Sequence, residues 1–147
     1  MEQVNTDKER TMKPLIALVM LGLLSGCASV SSDMANNNFP LITAQKPSDN
    51  LIGIWTGSMA SYLATLQIND DGTGTLCYSW GTANVEQRVK YRAGVVHIQD
   101  GTSMSVENVS TEQLVLKSRY FTGTQFTYIP DDKLTEASSF CSSVLSN

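Results

Sequence analysis

Few side chains in this sequence have the chemistry of a catalyst. The only histidine, His97, stands between Val96 and Ile98 in a segment of alternating character that offers it no acidic partner. A general base needs a neighbouring group to orient it and a nucleophile or substrate within reach. We therefore interpret His97 as an outward-facing residue of a strand and predict that the protein is not an enzyme.

Metal and cofactor sites are not predicted either. A zinc site needs three or four ligands from cysteine, histidine or carboxylate groups, and if Cys77 and Cys141 pair and Cys27 is acylated, His97 is the only ligand left besides carboxylates. The Asp70-Asp71-Gly72 and Asp131-Asp132 segments lack the twelve-residue ligand pattern of a calcium loop and fit ordinary turn and helix-cap chemistry. We expect no metal and no cofactor.

The N-terminal region has the order of features found in export signals. Met12-Lys13 gives a positive start and an alternative translation start, and an apolar run from Leu15 to Leu24 follows. That run is shorter than the roughly 20 residues of a membrane span. It ends in Leu24-Ser25-Gly26-Cys27, which resembles the lipobox of bacterial lipoproteins. The alternatives are a general secretory signal with a chance cysteine, or a buried helix.

The lipobox resemblance implies a location and an anchor. Residues 1–26 would be the signal peptide, and Cys27 would carry diacylglycerol on its sulfur and an acylated amino terminus, with palmitate as a typical chain. Two or more acyl chains hold a protein on a bilayer essentially permanently. Ala28-Ser29 after the cysteine resembles cargo that is sent to the outer membrane. We therefore predict a lipid-anchored protein of the bacterial cell envelope, with the membrane as its first partner.

Cys77 and Cys141 are predicted to form a disulfide. An exported domain with two remaining cysteines most often pairs them, and alternation places Cys77 on the outer face of its strand, where a C-terminal segment could cross it. The bridge would close a loop of about 65 residues and contribute roughly 4 kcal/mol. Two free thiols are the alternative.

Composition divides the mature chain into two parts. Residues 27–50 are rich in Ser, Asn, Ala and Pro without apolar periodicity, so we predict a flexible tether with a typical reach of about 25 Å. From Leu51 the pattern changes to a period of two with turn signals every eight to twelve residues. Residues 51–147 are therefore predicted as one β domain.

The period of two predicts eight short strands. The clearest alternation is in the fourth, where Val85, Val89 and Tyr91 face the opposite way from the charged residues between them, and Asn69–Gly72 is the strongest hairpin turn. The predicted strands are Leu51–Gly57, Ser61–Ile68, Thr73–Trp80, Val85–Arg92, Val95–Gln99, Thr102–Glu107, Gln113–Ser118 and Thr124–Ile129.

The fold class that follows is all-β: an antiparallel meander of about eight strands closed into a barrel, which removes both exposed sheet edges. Lys133–Phe140 is predicted as a short C-terminal helix with Asp131 or Asp132 as its N-cap. Because an eight-stranded barrel can be just filled by its side chains, we expect a filled interior without a sizeable ligand cavity. A two-sheet β-sandwich is the alternative architecture.

Two short motifs resemble known families of small barrels. Gly53-Ile54-Trp55 resembles the Gly-x-Trp of the first strand in lipocalins, in which the tryptophan closes one end of the barrel; a C-terminal helix and a strand-to-tail disulfide are also similar. Ser118-Arg119-Tyr120, with Gly123 and Phe126, faintly resembles the inhibitory loop of membrane-bound lysozyme inhibitors.

Two groups of residues are candidate contacts for a partner. Arg88, Lys90 and Arg92 form a basic stripe on one strand face, which is either a docking patch or a solvated face that discourages aggregation. Arg119, Tyr120 and Phe121 place two aromatic rings beside a cation in a loop, and such residues anchor interfaces. The alternative is that these rings fold back over one barrel end.

The net charge of −4 over 147 residues gives no electrostatic reason to bind nucleic acid. We predict a lipid-anchored binding module that recognises a protein or another component of the envelope. Inhibition of a hydrolase such as lysozyme, and carriage of a small apolar ligand as in lipocalins, are the alternative functions.

Overall fold

A computed structural model describes residues 30–120 and 123–146. The predicted signal peptide, Cys27 and Phe121 lie outside the described residues. The elements in chain order are α1 (Val30–Ala35), two 3-10 helices (Phe39–Leu41 and Asp49–Leu51), β1 (Gly53–Met59), β2 (Tyr62–Ile68), β3 (Thr73–Trp80), β4 (Ala83–Arg92), β5 (Val95–Ile98), β6 (Ser103–Val109), β7 (Leu114–Ser118), β8 (Gln125–Pro130) and α2 (Ser139–Leu145).

The strands form a closed antiparallel barrel in sequence order, so the predicted fold class is confirmed and the sandwich alternative is wrong. Each strand pairs with its neighbours in sequence, and β1 pairs with β8 through Trp55–Pro130, Thr56–Ile129 and Gly57–Tyr128. This last ladder satisfies the backbone groups that an open sheet would leave exposed at its two edges.

The meander gives the barrel two distinct ends. At one end, which we call the closed end, lie the 3-10 helix Asp49–Leu51 and the turn of residues 69–72. The indole of Trp55 donates a hydrogen bond to the Leu51 carbonyl (3.1 Å), and both side chains are buried. The tryptophan therefore seals this end, as the Gly-x-Trp resemblance implied. The hairpins of residues 60–61, 81–82, 99–102 and 119–124 surround the opposite, open end.

The core follows the alternation of the strands. On β4, Val89 is buried and faces inward, whereas Arg88 and Arg92 are exposed, as predicted. Alternation of this kind directs one set of side chains into the barrel and the other to its outer wall. The inward set forms one continuous cluster, consisting of Leu51, Trp55, Ala64, Leu66, Ile68, Leu76, Val89, Val96, Ile98, Met104, Leu114, Leu116 and Tyr128.

The C-terminal helix lies further along the chain than predicted. Asp131 does not cap it; its carboxylate instead accepts hydrogen bonds from the Thr135 and Glu136 amides in an irregular turn. Leu134 has a φ of 56°, a left-handed conformation that a helix does not contain. The helix begins after Ser138, whose hydroxyl accepts a hydrogen bond from the Cys141 amide.

The predicted disulfide is confirmed. Cys77 and Cys141 are joined with a Cα–Cα distance of 5.6 Å, and both are fully buried. Cys77 lies on the outer face of β3, and α2 covers it. The bridge thus fixes α2 to the outer wall of the barrel across a sequence separation of 64 residues.

The described part of the predicted tether is not a free coil, and this expectation is wrong for residues 37–50. Phe39 is buried, and the Gln45 amide donates a hydrogen bond to the Tyr91 carbonyl (2.9 Å). Gly72 (φ 81°) lies so close that a Cβ there would come within 2.0 Å of the Gln45 carbonyl oxygen. The segment packs because it donates and accepts main-chain hydrogen bonds on the barrel wall, which a composition rich in Ser, Asn and Pro does not reveal.

Replacing both bridging cysteines, in the variant Cys77→Ala/Cys141→Ala, should lower the free energy of unfolding by about 4 kcal/mol, because the cross-link restricts the unfolded chain. Denaturant titration followed by far-ultraviolet circular dichroism measures the change. Reduction of the wild-type protein is the matched control, and it should bring the wild type to a similar midpoint. Equal stability of oxidised and reduced protein would contradict the prediction.

Asp131 should make stability depend on acid pH. Burial alone would raise the pKa of this carboxyl, but hydrogen bonds from Thr56, Glu136 and Thr135 outweigh it and lower the pKa below 3.8. A lowered folded-state pKa stabilises above the ordinary value, and this stabilisation is lost as pH falls through the folded pKa.

Asp131→Asn should therefore be less stable than the wild type at neutral pH, by about 2 kcal/mol, and the difference should shrink at pH values below 3.8. Asp70→Asn, at an exposed carboxylate of the β2–β3 turn, is the control and should change little. A difference between the wild type and Asp131→Asn that stays constant with pH would refute the assignment.

Candidate functional site

A cavity of about 220 Å³ opens within the barrel at its open end. Its apolar wall consists of Met59, Leu76, Ile98, Met104 and Phe126. Two of these are methionines, whose flexible thioethers adapt to ligands of different shape. The expectation of a filled interior thus holds for the closed half of the barrel only. The volume is below the range of about 300–1,000 Å³ that is typical of sites for whole drug-sized ligands.

Polar groups line one side of this cavity. The Gln87 side-chain amide donates to an Asp100 carboxylate oxygen (3.4 Å) and to the Tyr78 hydroxyl (3.5 Å), both long contacts. The other Asp100 oxygen accepts from the Thr102 amide (2.8 Å) and so fixes the hairpin between β5 and β6. The side-chain carbonyl oxygen of Gln87 (Oε1) is buried and has no hydrogen-bond donor among the described residues. It is therefore able to accept a hydrogen bond from a bound group.

Tyr78 contributes a neutral phenol to this polar side. Burial raises the pKa of Tyr78, and the nearby Asp100 carboxylate and Tyr62 raise it further, so the phenol stays protonated. It can therefore donate as well as accept a hydrogen bond. An apolar wall facing a few fixed polar groups is the usual composition of a small ligand site.

Aromatic side chains form part of the rim around the cavity. The rings of Tyr62 and Tyr78 meet edge to face with centroids 5.2 Å apart, and the Trp80 ring lies 6.2 Å from Tyr62. Trp80 is 61% exposed. A large exposed tryptophan beside an amphipathic cleft is typical of a contact surface. We call Tyr62, Tyr78 and Trp80 the aromatic rim.

The predicted contact loop is placed differently from the prediction. Tyr120 is buried, so the alternative in which this ring folds over a barrel end is the one observed. Its hydroxyl donates a hydrogen bond to the Asp33 carboxylate in α1. Burial and this bond to Asp33 raise the pKa of Tyr120. Arg119 is exposed, and its predicted contact with a partner stays a prediction, as does that of Phe121.

The basic stripe is confirmed as one outward face of β4, but its three members have different surroundings. The Lys90 ammonium donates to the carbonyl oxygens of Phe39 (3.1 Å) and Ile42 (2.8 Å) and lies 4.7 Å from the centroid of the Phe39 ring. Lys90 therefore holds the N-terminal segment on the barrel. Arg88 and Arg92 are exposed, and their binding of a partner stays a prediction.

His97 is half-buried beside the N-terminal segment, in a hollow of about 180 Å³ that Asp33, Phe39 and Arg119 also line. Burial lowers the pKa of His97, and the positive charges of Arg119 and Arg92 lower it further. The imidazole is therefore neutral at pH 7. In the part of the chain that the structure describes, no group of three or more His, Cys, Asp or Glu side chains could hold a metal ion. No helix of that part is long and apolar enough to cross a bilayer.

One feature of the sequence indicates the polar side of this cavity. Gln87 occupies an inward position of β4 by the same alternation that directs Val85, Val89 and Tyr91 inward. A polar residue in an otherwise apolar inward series marks a place where the interior is not purely core. Asp100 gave no such signal, because it lies in a hairpin and hairpin residues have no periodicity. Trp80 ends β3, where alternation with Leu76 and Tyr78 predicts an inward position, but its ring is 61% exposed because the strand ends at the rim of the barrel.

The family described as "Bacterial lipocalin LPS transport optimiser YedD" matches residues 36–145. The match therefore begins in the N-terminal segment, ahead of the barrel, and ends at the last residue of α2. No curated protein and no solved structure matches the chain.

Lys90→Met should loosen the N-terminal segment, because two carbonyl oxygens lose a charged donor. We expect a stability loss of about 1–2 kcal/mol and faster hydrogen exchange at the Gln45 amide, which mass spectrometry of deuterated peptides measures. Arg88→Met, two residues away on the same face, is the matched control and should leave this exchange unchanged. Equal effects of the two variants would show that Lys90 does not hold the segment.

Proposed function

The chain belongs to the bacterial lipocalin family of the LPS transport optimiser YedD, so we propose a binding role for it in lipopolysaccharide transport. In this proposal it is a lipid-anchored protein of the cell envelope, held by acyl chains on Cys27. It binds a component of the transport route through the open end of its barrel.

The observation that carries the proposal is the difference between the two barrel ends. Trp55 and Leu51 seal one end, whereas the other opens into an amphipathic cavity beside the exposed Trp80. In a lipocalin barrel with a single open end, a ligand can enter and bind only at that end. The aromatic rim and the cavity together offer apolar surface next to fixed hydrogen-bonding groups, which suits an amphipathic partner.

The size of the cavity limits what that partner can place inside it. About 220 Å³ cannot enclose a molecule with several acyl chains, so the barrel does not carry a whole lipopolysaccharide. Contact at the rim, with at most one apolar group inserted, fits the space. We therefore favour a module that assists transport by binding at its rim over a carrier that encloses the lipid.

Carriage of a small apolar ligand is the second candidate, and the wall of Met59, Leu76, Met104 and Phe126 favours it. The same volume restricts such a ligand to one short chain or ring. Inhibition of a hydrolase has no observation in its favour, since the loop on which that resemblance rests contains the buried Tyr120.

Site-specific crosslinking in living cells tests the rim. A photoreactive amino acid at Trp80 should crosslink to lipopolysaccharide or to a protein that moves it, because Trp80 is the most exposed side chain of the aromatic rim. The same amino acid at Asp70, in the turn at the closed end, is the control and should give no such product. Identical products from both ends would contradict rim binding.

A rescue assay gives a second readout of the same prediction. In cells that lack the gene, Trp80→Glu should fail to restore the outer-membrane barrier to large apolar antibiotics, whereas the wild type restores it. Ile129→Glu changes an apolar side chain that is 47% exposed on the outer wall of β8 and should rescue fully. Full rescue by Trp80→Glu would count against the proposed function.

A further inference from the structure

The N-terminal segment runs along the outside of the barrel from one end to the other. It enters β1 at the closed end, where Gln45 contacts the main chain of Tyr91 and Gly72. Further towards the N-terminus, Lys90 holds Phe39 and Ile42 on the wall of β4. The segment therefore proceeds towards the open end as it is followed back towards the N-terminus.

Three contacts fix α1 and the residues after it at the open end. The Asn37 side-chain amide donates to the Gln99 carbonyl (2.7 Å), and Tyr120 donates to the Asp33 carboxylate. Gly101 (φ 95°) lies so close that a Cβ there would come within 2.7 Å of the Asp33 carbonyl oxygen. Gln99 and Gly101 belong to one open-end hairpin and Tyr120 to another, so the beginning of the described chain is held beside the mouth of the cavity.

Covalent length connects this position to the membrane. Cys27 precedes Val30 by three residues, and three residues span at most about 10 Å. If Cys27 carries the acyl chains, as the proposed function holds, they enter the bilayer next to the open end. We infer that the open end of the barrel faces the membrane surface, and that Trp80, Leu63 and Met34 contact lipid there.

The distribution of apolar side chains agrees with this orientation. Among the described residues, three of the five large apolar side chains that are exposed lie on the open half: Trp80 (61% exposed) at the end of β3, Met34 (47%) in α1 and Leu63 (39%) in β2. The other two, Leu41 (80%) beside β4 and Ile129 (47%) on β8, lie on the outer wall. Tryptophan is enriched at the level of lipid headgroups, since its ring is apolar and its N–H is polar. These three exposed apolar side chains, whose contact with water is unfavourable, thus lie at the end that the anchor would bring to the bilayer.

The distribution of charge agrees as well. The turns of the closed end carry more acidic than basic side chains, since Asp49, Asp70, Asp71, Glu112 and Asp132 outnumber Lys46, Arg92 and Lys133. At the open end, the acidic Asp33 and Asp100, which accept hydrogen bonds from Tyr120 and Thr102, are matched in number by the basic Lys117 and Arg119. Anionic lipid surfaces repel carboxylates and attract arginine. The acidic closed end would therefore point away from an anionic membrane.

The two tryptophans of the chain provide the test, because Trp80 lies at the open end and Trp55 at the closed end. The acylated full-length mature protein is placed in vesicles of phosphatidylethanolamine and phosphatidylglycerol that contain brominated phospholipid, a quencher of indole emission. Trp80 should lose most of its emission and Trp55 should keep its own. Trp80→Phe, at an exposed position, isolates Trp55, and its difference from the wild type gives Trp80.

A lengthened anchor is the matched control. A Gly/Ser insert of about 20 residues between Ser29 and Val30 spans about 25 Å as a coil and frees the domain from the anchor. Quenching of Trp80 should then fall towards that of Trp55. Unchanged quenching with the insert, equal quenching of the two tryptophans, or a native Cys27 without acyl chains would each overturn the inference.

The outcomes separate this inference from the proposed function. Quenching of Trp80 in vesicles reports the orientation in the absence of lipopolysaccharide and of any transport protein. The inferred orientation can therefore be supported even if crosslinking from Trp80 finds no transport component. Conversely, crosslinking to a transport component with an unquenched Trp80 would support the function and refute the orientation.

Discussion

Closure of the barrel by the ladder between β1 and β8 is the interaction on which the rest of the structure depends. It pairs the last edges of an eight-stranded meander and thereby sets a small interior. In so small an interior, one large side chain is enough to close one end of the barrel. Trp55 seals one end, with its indole hydrogen-bonded to the Leu51 carbonyl, and the cavity of about 220 Å³ lies at the other.

The outer wall of the same barrel organises the chain termini. The disulfide joins α2 to β3, and Lys90 with the main chain of Tyr91 fixes the N-terminal segment on β4. Both attachments involve the outer wall of the barrel, where alternation places the side chains that are not part of the core. The segment ahead of the barrel is therefore part of the domain, in agreement with a family match that begins at residue 36. The path of this segment along the outer wall, rather than its composition, places the beginning of the described chain at the open end of the barrel.

Binding at one end follows from these two constraints. A site that is narrow, apolar on one side and hydrogen-bonding on the other selects an amphipathic group, and the aromatic rim extends the contact beyond the cavity. An orientation with the mouth towards lipid would give such a group a short path from the bilayer to the rim. The proposed role in lipopolysaccharide transport and the proposed orientation thus share a site, but they depend on different physical facts: the first on recognition, the second on covalent length.

The sequence alone determined the elements whose cause is local. Alternation set the inward and outward faces of the strands, Asn69–Gly72 set a hairpin, and the predicted export signal together with the two remaining cysteines indicated the pairing of Cys77 with Cys141. Tertiary structure decided what depends on distant partners. The Tyr120 hydroxyl donates a hydrogen bond to Asp33, 87 residues away in sequence, and residues 37–50 pack because Lys90 and Tyr91 form hydrogen bonds with them. Such contacts exist only after the barrel has closed and fixed its register, so no local period in the sequence could encode them.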